Sequence, residues 1–208
     1  MEKIIMNRRA NFIDIKGHEH AKRGLEVALS GDHDVILVGP PKSGKSLLRK
    51  AVEDTGFKIN IYEMRPCPCG FFTDPKHECN CAPVEIKDYL SSLPAHIIDK
   101  TDIYIEVPRL NLEQLQEKRR GELSEDILER VQLARVFLHS RRADLTLDKE
   151  AEDLLKLAIL ELGISSRAYD KIMSVAGTIA GMGSKLTIEA HHISEAISYR
   201  SLDRNLWG

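Results

Sequence analysis

The chain has 208 residues, 42% of them hydrophobic and 30% charged, and a net charge of −2. That is enough for one domain with a good core or two small ones, and too apolar for a disordered chain. The near-neutral balance gives no global pull toward nucleic acid or anionic membrane, and no apolar run approaches the ~18 residues of a membrane span. Met1–Arg9 has charges and no apolar stretch behind it, so it does not read as a signal peptide; a cytoplasmic location is the default expectation. In that setting the four cysteines read as thiols or metal ligands rather than disulfides.

Phe12-Ile13-Asp14-Ile15 precedes Gly17, and a helix is predicted over about Glu19 to Leu29, with Ala21, Leu25, Ala28 and Leu29 at helical spacing. His18, His20 and His33 read as polar surface groups, because no ligand partner stands near them in sequence. The turn Gly31-Asp32-His33-Asp34 feeds Val35-Ile36-Leu37-Val38, an apolar β-branched run of the kind seen in buried parallel strands.

Gly39-Pro40-Pro41-Lys42-Ser43-Gly44-Lys45-Ser46 follows, in the pattern G-x-x-x-x-G-K-S, and Leu47-Leu48-Arg49-Lys50-Ala51-Val52 reads as a helix. Strand, loop and helix are the context that a phosphate-binding loop requires. Gly39 and Gly44 let backbone N–H groups converge on phosphate oxygens, and the helix aims its positive end at the same anion. Lys45 is expected to reach the β- and γ-phosphates, and the Ser46 hydroxyl to ligate Mg²⁺. The bland alternative is a Gly/Pro turn joining strand to helix.

Gly56 breaks the chain, and Phe57–Met64 alternates apolar and polar residues, which predicts a second strand, parallel to the first through a right-handed crossover. Cys67-Pro68-Cys69 and Cys79-Asn80-Cys81 lie nine residues apart and hold every cysteine of the chain. Two close pairs across a Gly/Pro-containing loop suit a tetrahedral thiolate site, most simply Zn²⁺. The C-x-C spacing is less specific than C-x-x-C. Four reduced thiols in a turn-rich loop is the competing reading, His77 is a substitute ligand, and an iron–sulfur cluster has no separate support.

Val84–Leu93 reads as a helix with Pro83 at its start and Pro94 past its end; Ile97–Asp102 leads into a third strand, Ile103–Val107, closed by Pro108. The remainder is helical. Ser124 is read as an N-cap before the stripe Ile127, Val131, Ala134 and Leu138, and Arg141-Arg142 as a solvated helix end. Asp148 caps a helix that Gly163 ends, Ser165 starts another running to about Gly181, and a last one spans about Ala190–Tyr199. Their apolar stripes read as core faces.

Gly17-His18-Glu19, Ala21-Lys22-Arg23 and the 39–46 loop together resemble the start of magnesium-chelatase-like AAA+ ATPases, closest to the bacterial competence-associated type. Pro66-Cys67-Pro68-Cys69-Gly70 with Cys79 and Cys81 resembles that group's cysteine insertion. Ile98–Ile103 and Ile105–Arg109 match its following segment, and Ser165–Lys171 with Tyr199–Arg204 its helical lid. The resemblance implies an α/β fold: a truncated P-loop, AAA+-like, parallel three-stranded sheet with flanking helices over 1–108, followed by an α-helical lid domain over 109–208.

The departures carry as much information. The family's central block, with the Walker B acids that position Mg²⁺ and the attacking water, is missing between Gly56 and Cys67, and so is its N-terminal protease-like domain. Family sheets run 5-1-4-3-2, so losing strands 2 and 3 leaves 5-1-4 contiguous, with the strand holding Ile59 and Ile61 as a new edge. Arg65 stands at the sensor Asn, Lys100 at the arginine-finger position, and Arg167 keeps the second sensor Arg. Glu63, ending the strand beside the loop, is a candidate substitute acid.

The resemblance therefore implies a protein that binds ATP and Mg²⁺ with weak or absent hydrolysis, assembling with itself or a full-length relative, with DNA as a partner on resemblance alone and no membrane role. Two readings compete with it. One is a zinc-stabilised, non-enzymatic interaction module, and the other an active NTPase motor using Glu63.

Overall fold

The computed structural model describes residues 10–116 and 121–200. After a 3₁₀ turn, Phe12–Asp14, come α1 (Glu19–Gly31), β1 (Val35–Val38), α2 (Lys45–Glu53), β2 (Ile61–Met64), α3 (Pro83–Ser91), α4 (Ala95–Lys100), β3 (Ile103–Glu106) and α5 (Leu112–Gln116). Then follow α6 (Ser124–Arg141), β4 (Thr146–Leu147), α7 (Lys149–Leu162), α8 (Ser166–Met182), β5 (Thr187–Ile188) and α9 (Ala190–Ser198).

β1, β2 and β3 form one parallel sheet in the order β2-β1-β3, with Val35 opposite Ile61 on one side and Ile103 on the other. This is the contiguous remnant expected of a truncated P-loop, AAA+-like fold. Strand pleating sorts the side chains. Val35, Leu37, Ile103 and Ile105 face a core shared with Leu25 and Leu29 of α1, Val131 of α6, Val175 and Ile179 of α8 and Ile193 of α9. Ile36, Val38, Met64 and Tyr104 face the other way, onto Leu90 of α3 with Ile97 and Ile98 of α4 packed alongside. Apolar packing thus runs without a break from the sheet into the helical half. Among the described residues the outer edge of β2 has no strand partner.

Several local expectations need correction. β2 is only four residues long. The chain before it instead bonds sideways, Asn60 Nδ2 donating to Asp34 Oδ1 at 2.9 Å and Phe57 lying under the Arg135 guanidinium at 4.9 Å. Ser124 is the first residue of α6 rather than its cap. Its N–H donates to Asn11 Oδ1 at 3.0 Å, so a side chain 113 residues away does the capping. α4 and the short pair β4–β5 carry no signal in the sequence, since two to six residues are too few to show a period.

His33 is not a surface group: it is 2% exposed, with Nε2 2.8 Å from Thr178 Oγ1 and Nδ1 3.5 Å from Asp102. The helix signals at Asp148, Gly163 and Ser165 hold, with Asp148 Oδ1 accepting from Ala151 N at 2.7 Å and Ser165 Oγ from Ala168 N at 3.2 Å. Positions 201–204 of the lid match lie outside the described residues. No described helix is long and apolar enough to cross a membrane.

Candidate functional site

The 39–46 loop turns between the C-terminal end of β1 and the start of α2. Gly39 donates its N–H to the Met64 carbonyl of β2 at 3.2 Å. A Cβ there would lie 2.1 Å from the Val107 carbonyl, so only glycine lets the chain pass between the two neighbouring strand ends. Gly44, at φ +104, precedes α2. A Cβ on it would approach His18 Nε2 at 3.3 Å. His18 hydrogen-bonds the Ser43 backbone, and burial lowers its pKa.

Lys45 is 8% exposed and folded back over the loop, its Nζ donating to the carbonyls of Gly39 at 2.7 Å and Pro40 at 2.8 Å. Burial lowers its pKa, Glu63 opposes that shift and Arg65 adds to it. Ser46 Oγ donates to Glu63 Oε2 at 2.7 Å, and Arg49 Nε donates to the other carboxylate oxygen at 2.8 Å. The pleat of β2 explains the meeting: Glu63 shares a face with Ile61, the face turned toward α2. Pro41, Lys42, Ser43, Gly44, Lys45, Ser46 and Leu47, with Glu63, Met64, Arg65 and Tyr89, line an open cavity of about 640 Å³.

The structure therefore brings Glu63 to the predicted loop and keeps Lys100 and Arg167 elsewhere. Arg167 Nη1 donates to Asp99 Oδ1, beside Lys100 at the end of α4. Arg167, Asp99 and Lys171 line a separate cavity. Sequence reasoning missed Arg49, Tyr89 and His18 at the loop. Arg49 was findable, since it follows Ser46 by three residues on one helix and shares its face.

The four cysteines converge. Cys67 Sγ lies 3.4 Å from Cys69 Sγ and 3.7 Å from Cys79 Sγ, and Cys69 lies 3.6 Å from Cys79. All four sulfurs fall within 4.8 Å of one another. Zinc–thiolate bonds of about 2.3 Å in a tetrahedron place sulfurs roughly 3.8 Å apart, so the set fits that ion. Backbone N–H groups already point at the sulfurs: Gly70 to Cys67 at 3.2 Å, Phe72 to Cys67 at 3.3 Å and Cys69 to Cys81 at 3.4 Å. Such donors orient and stabilise thiolates.

The Phe71 N–H and the other thiols outweigh burial and bring Cys69 down to about 6. For Cys81 the Cys69 N–H acts downward, but burial and the neighbouring thiols win, pushing it up to about 12. Thiols this close do not all ionise without a cation among them. His77 is outside the four-sulfur set, pairing with Asp74 at 3.5 Å and stacking on Phe71 at 4.9 Å.

The sheet, loop and helical half define a shortened P-loop protein of the AAA+ type, and comparison with known proteins narrows the class. The profile described as magnesium chelatase, subunit ChlI, matches residues 11–57 and 54–115, and that of its C-terminal region matches 114–200. This chain belongs to the magnesium chelatase ChlI family. It is 30% identical to the competence protein ComM of Haemophilus influenzae, over 80% of this chain and 36% of ComM. It is 29% identical to YifB of Salmonella typhimurium, over 95% of this chain and 62% of YifB, and 31% identical to YifB of Escherichia coli, over 70% and 31%. The chain spans between about a third and three-fifths of these relatives. The two profile segments meet at 54–57, and the Salmonella alignment runs over 313 positions, more than a hundred longer than the chain. The missing internal block therefore falls at the turn around Gly56.

Proposed function

We propose that this chain binds Mg·ATP in the 39–46 loop with weak or absent hydrolysis, and that nucleotide drives its assembly with further copies or with a full-length relative. The observation that carries the reading is the Ser46–Glu63 hydrogen bond at 2.7 Å. The hydroxyl expected to ligate Mg²⁺ is held by a carboxylate, the arrangement that an acid beside a phosphate-bound metal needs. Lys45 releases two loop carbonyls as it swings to a phosphate, a short movement on a flexible stem.

Weak turnover follows from the same geometry. Glu63 is the one carboxylate among the residues lining this cavity, and Arg49 and Ser46 engage both its oxygens, leaving it poorly placed to orient water. Lys100 and Arg167 sit together on a surface away from their own loop, where a neighbouring subunit's loop is able to meet them. DNA remodelling rests on the resemblance and on the competence protein among the relatives. The four cysteines take Zn²⁺ in this reading, their geometry being the support.

The active-motor alternative draws on the same Ser46–Glu63 contact, read as a substitute for the missing acids. Calorimetric titration of Mg·ATP, with Lys45→Ala as control, tests binding. Phosphate release from wild type and Glu63→Gln tests the alternative: turnover that survives the substitution unchanged rules Glu63 out as the acid.

A further inference from the structure

The cysteine segment is not a separate module hung on the fold. It leaves β2 at Met64, whose carbonyl receives the Gly39 N–H, and it folds back onto the 39–46 loop. Gly70 touches both parts. Its N–H donates to the Cys67 sulfur at 3.2 Å, and a Cβ on its α-carbon would lie 2.9 Å from Pro41 Cδ and 3.3 Å from Arg65 Cδ. At φ +86, glycine is the residue that admits this approach.

A second strap runs through Arg109. Its Nε donates to Asp74 Oδ2 at 3.2 Å, and its Nη2 to the Pro41 carbonyl at 3.3 Å. Asp74 lies between the two cysteine pairs, has no exposed side-chain surface, and also accepts from Lys76 N at 2.8 Å. Pro41, which both straps reach, and Arg65, which Gly70 abuts, line the loop cavity.

We propose that metal in the four-cysteine site sets the affinity of the 39–46 loop for nucleotide, with Gly70 and the Asp74–Arg109–Pro41 strap as the link. The inference rests on the readings of Mg·ATP binding and of a thiolate metal site given above, and adds their coupling. The ion fixes Cys67, Cys69, Cys79 and Cys81 relative to one another, and thereby fixes Gly70 and Asp74 against Pro41. Without it, 67–81 has few apolar contacts of its own to hold that shape, and the loop loses one wall of its support. Coupling between two sites is reciprocal, so bound nucleotide must tighten the metal by the same factor.

The test uses the full chain, zinc and Mg·ATP. The Mg·ATP Kd is measured for zinc-loaded and chelator-stripped protein, and the zinc Kd, against a competing chelating dye, with and without saturating Mg·ATP. Stripping is expected to weaken Mg·ATP binding about tenfold, within the usual span of coupling between sites, and Mg·ATP to tighten zinc by the same factor. Arg109→Gln keeps all four cysteines and the loop sequence. It is expected to hold zinc, to fold as judged by circular dichroism, and to bind Mg·ATP several-fold more weakly.

Equal Mg·ATP affinities in loaded and stripped wild type overturn the coupling and leave the nucleotide reading standing. Zinc-loaded protein that binds no Mg·ATP overturns the nucleotide reading, and protein that takes up no zinc overturns the metal reading; the coupling falls with either. If stripping unfolds the chain, the zinc-loaded Arg109→Gln variant decides, and wild-type affinity in it overturns the strap.

Discussion

The loop cavity and the seam where α8 meets α4 and β3 both gather basic residues, and they use them differently. At the seam, Arg167 donates to Asp99, Lys171 Nζ to the carbonyls of Asp99 and Thr101, and Arg200 to those of Thr101 and Asp102. The Arg200 guanidinium also lies over the Tyr104 ring at 4.9 Å. These contacts cross 68 to 99 residues of sequence and tie the helical half to the sheet. At the loop, Lys45 reaches only partners two to six residues away, the carbonyls of Gly39 and Pro40 and the Ser43 hydroxyl, and Lys42 and Arg65 border open space. Positive charge by itself therefore does not mark a ligand site. A cation bound to its own local loop exchanges partners at little cost, whereas one that bridges distant elements is part of the fold.

The sharpest way to break this comparison is to truncate one lysine and one arginine. Lys45→Ala is expected to weaken Mg·ATP binding by roughly 10- to 100-fold, the size of a lost charge-assisted hydrogen bond. Arg167 pairs with Asp99 across a surface where its own side chain is 67% exposed. Arg167→Ala is expected to leave the affinity of the single chain unchanged, and any effect to appear only at concentrations where subunits associate. Calorimetry across a concentration series checks both. A loss in dilute Arg167→Ala as large as in Lys45→Ala would merge the two regions into one site.

Next in size is the buried anchor of the seam. Thr178→Val removes the hydroxyl 2.8 Å from His33 Nε2 in a position without solvent exposure. A buried polar group left without its partner costs about 1–3 kcal/mol. For a chain of this length the melting temperature is expected to fall by roughly 2–4 °C per kcal/mol. Mg·ATP affinity is expected to hold, since neither residue lines the loop cavity. A scanning calorimeter and the same titration separate the two outcomes.

The same contrast explains what was legible in the sequence. The strand, the loop and α2 are contiguous, and their residue types are dictated by backbone geometry, so all three are legible locally. The caps at Asp148 and Ser165 are local as well, and equally legible. The four cysteines were legible as a set because thiol spacing is itself a chemical pattern. The capping of α6 by Asn11, the burial of His33 against Thr178 and the pairing of Arg167 with Asp99 are long-range, and no local pattern announces them. Glu63 stands between the cases. Its strand was predicted, but its contact with Ser46 depends on which strand lies beside β1, and hence on the missing central block.

The smallest expected effect is a pH dependence confined to the seam. Burial raises the pKa of Asp102, but His33, Lys171 and the Asp34 N–H outweigh it, so the carboxyl titrates below its ordinary value. The folded chain then holds fewer protons at this position than the unfolded chain, in which an aspartate titrates near 3.9. Stability rises with pH wherever the unfolded state binds more protons. The contribution of Asp102 is thus fully present above about pH 4 and is lost as pH falls from there toward the lower folded pKa. Asp102→Asn keeps the shape and removes the titration. Its melting temperature is expected to lie below wild type at pH 7, and the gap to narrow as pH drops below about 4. A gap that stays constant across that range would mean the Asp102 contribution is geometric rather than electrostatic.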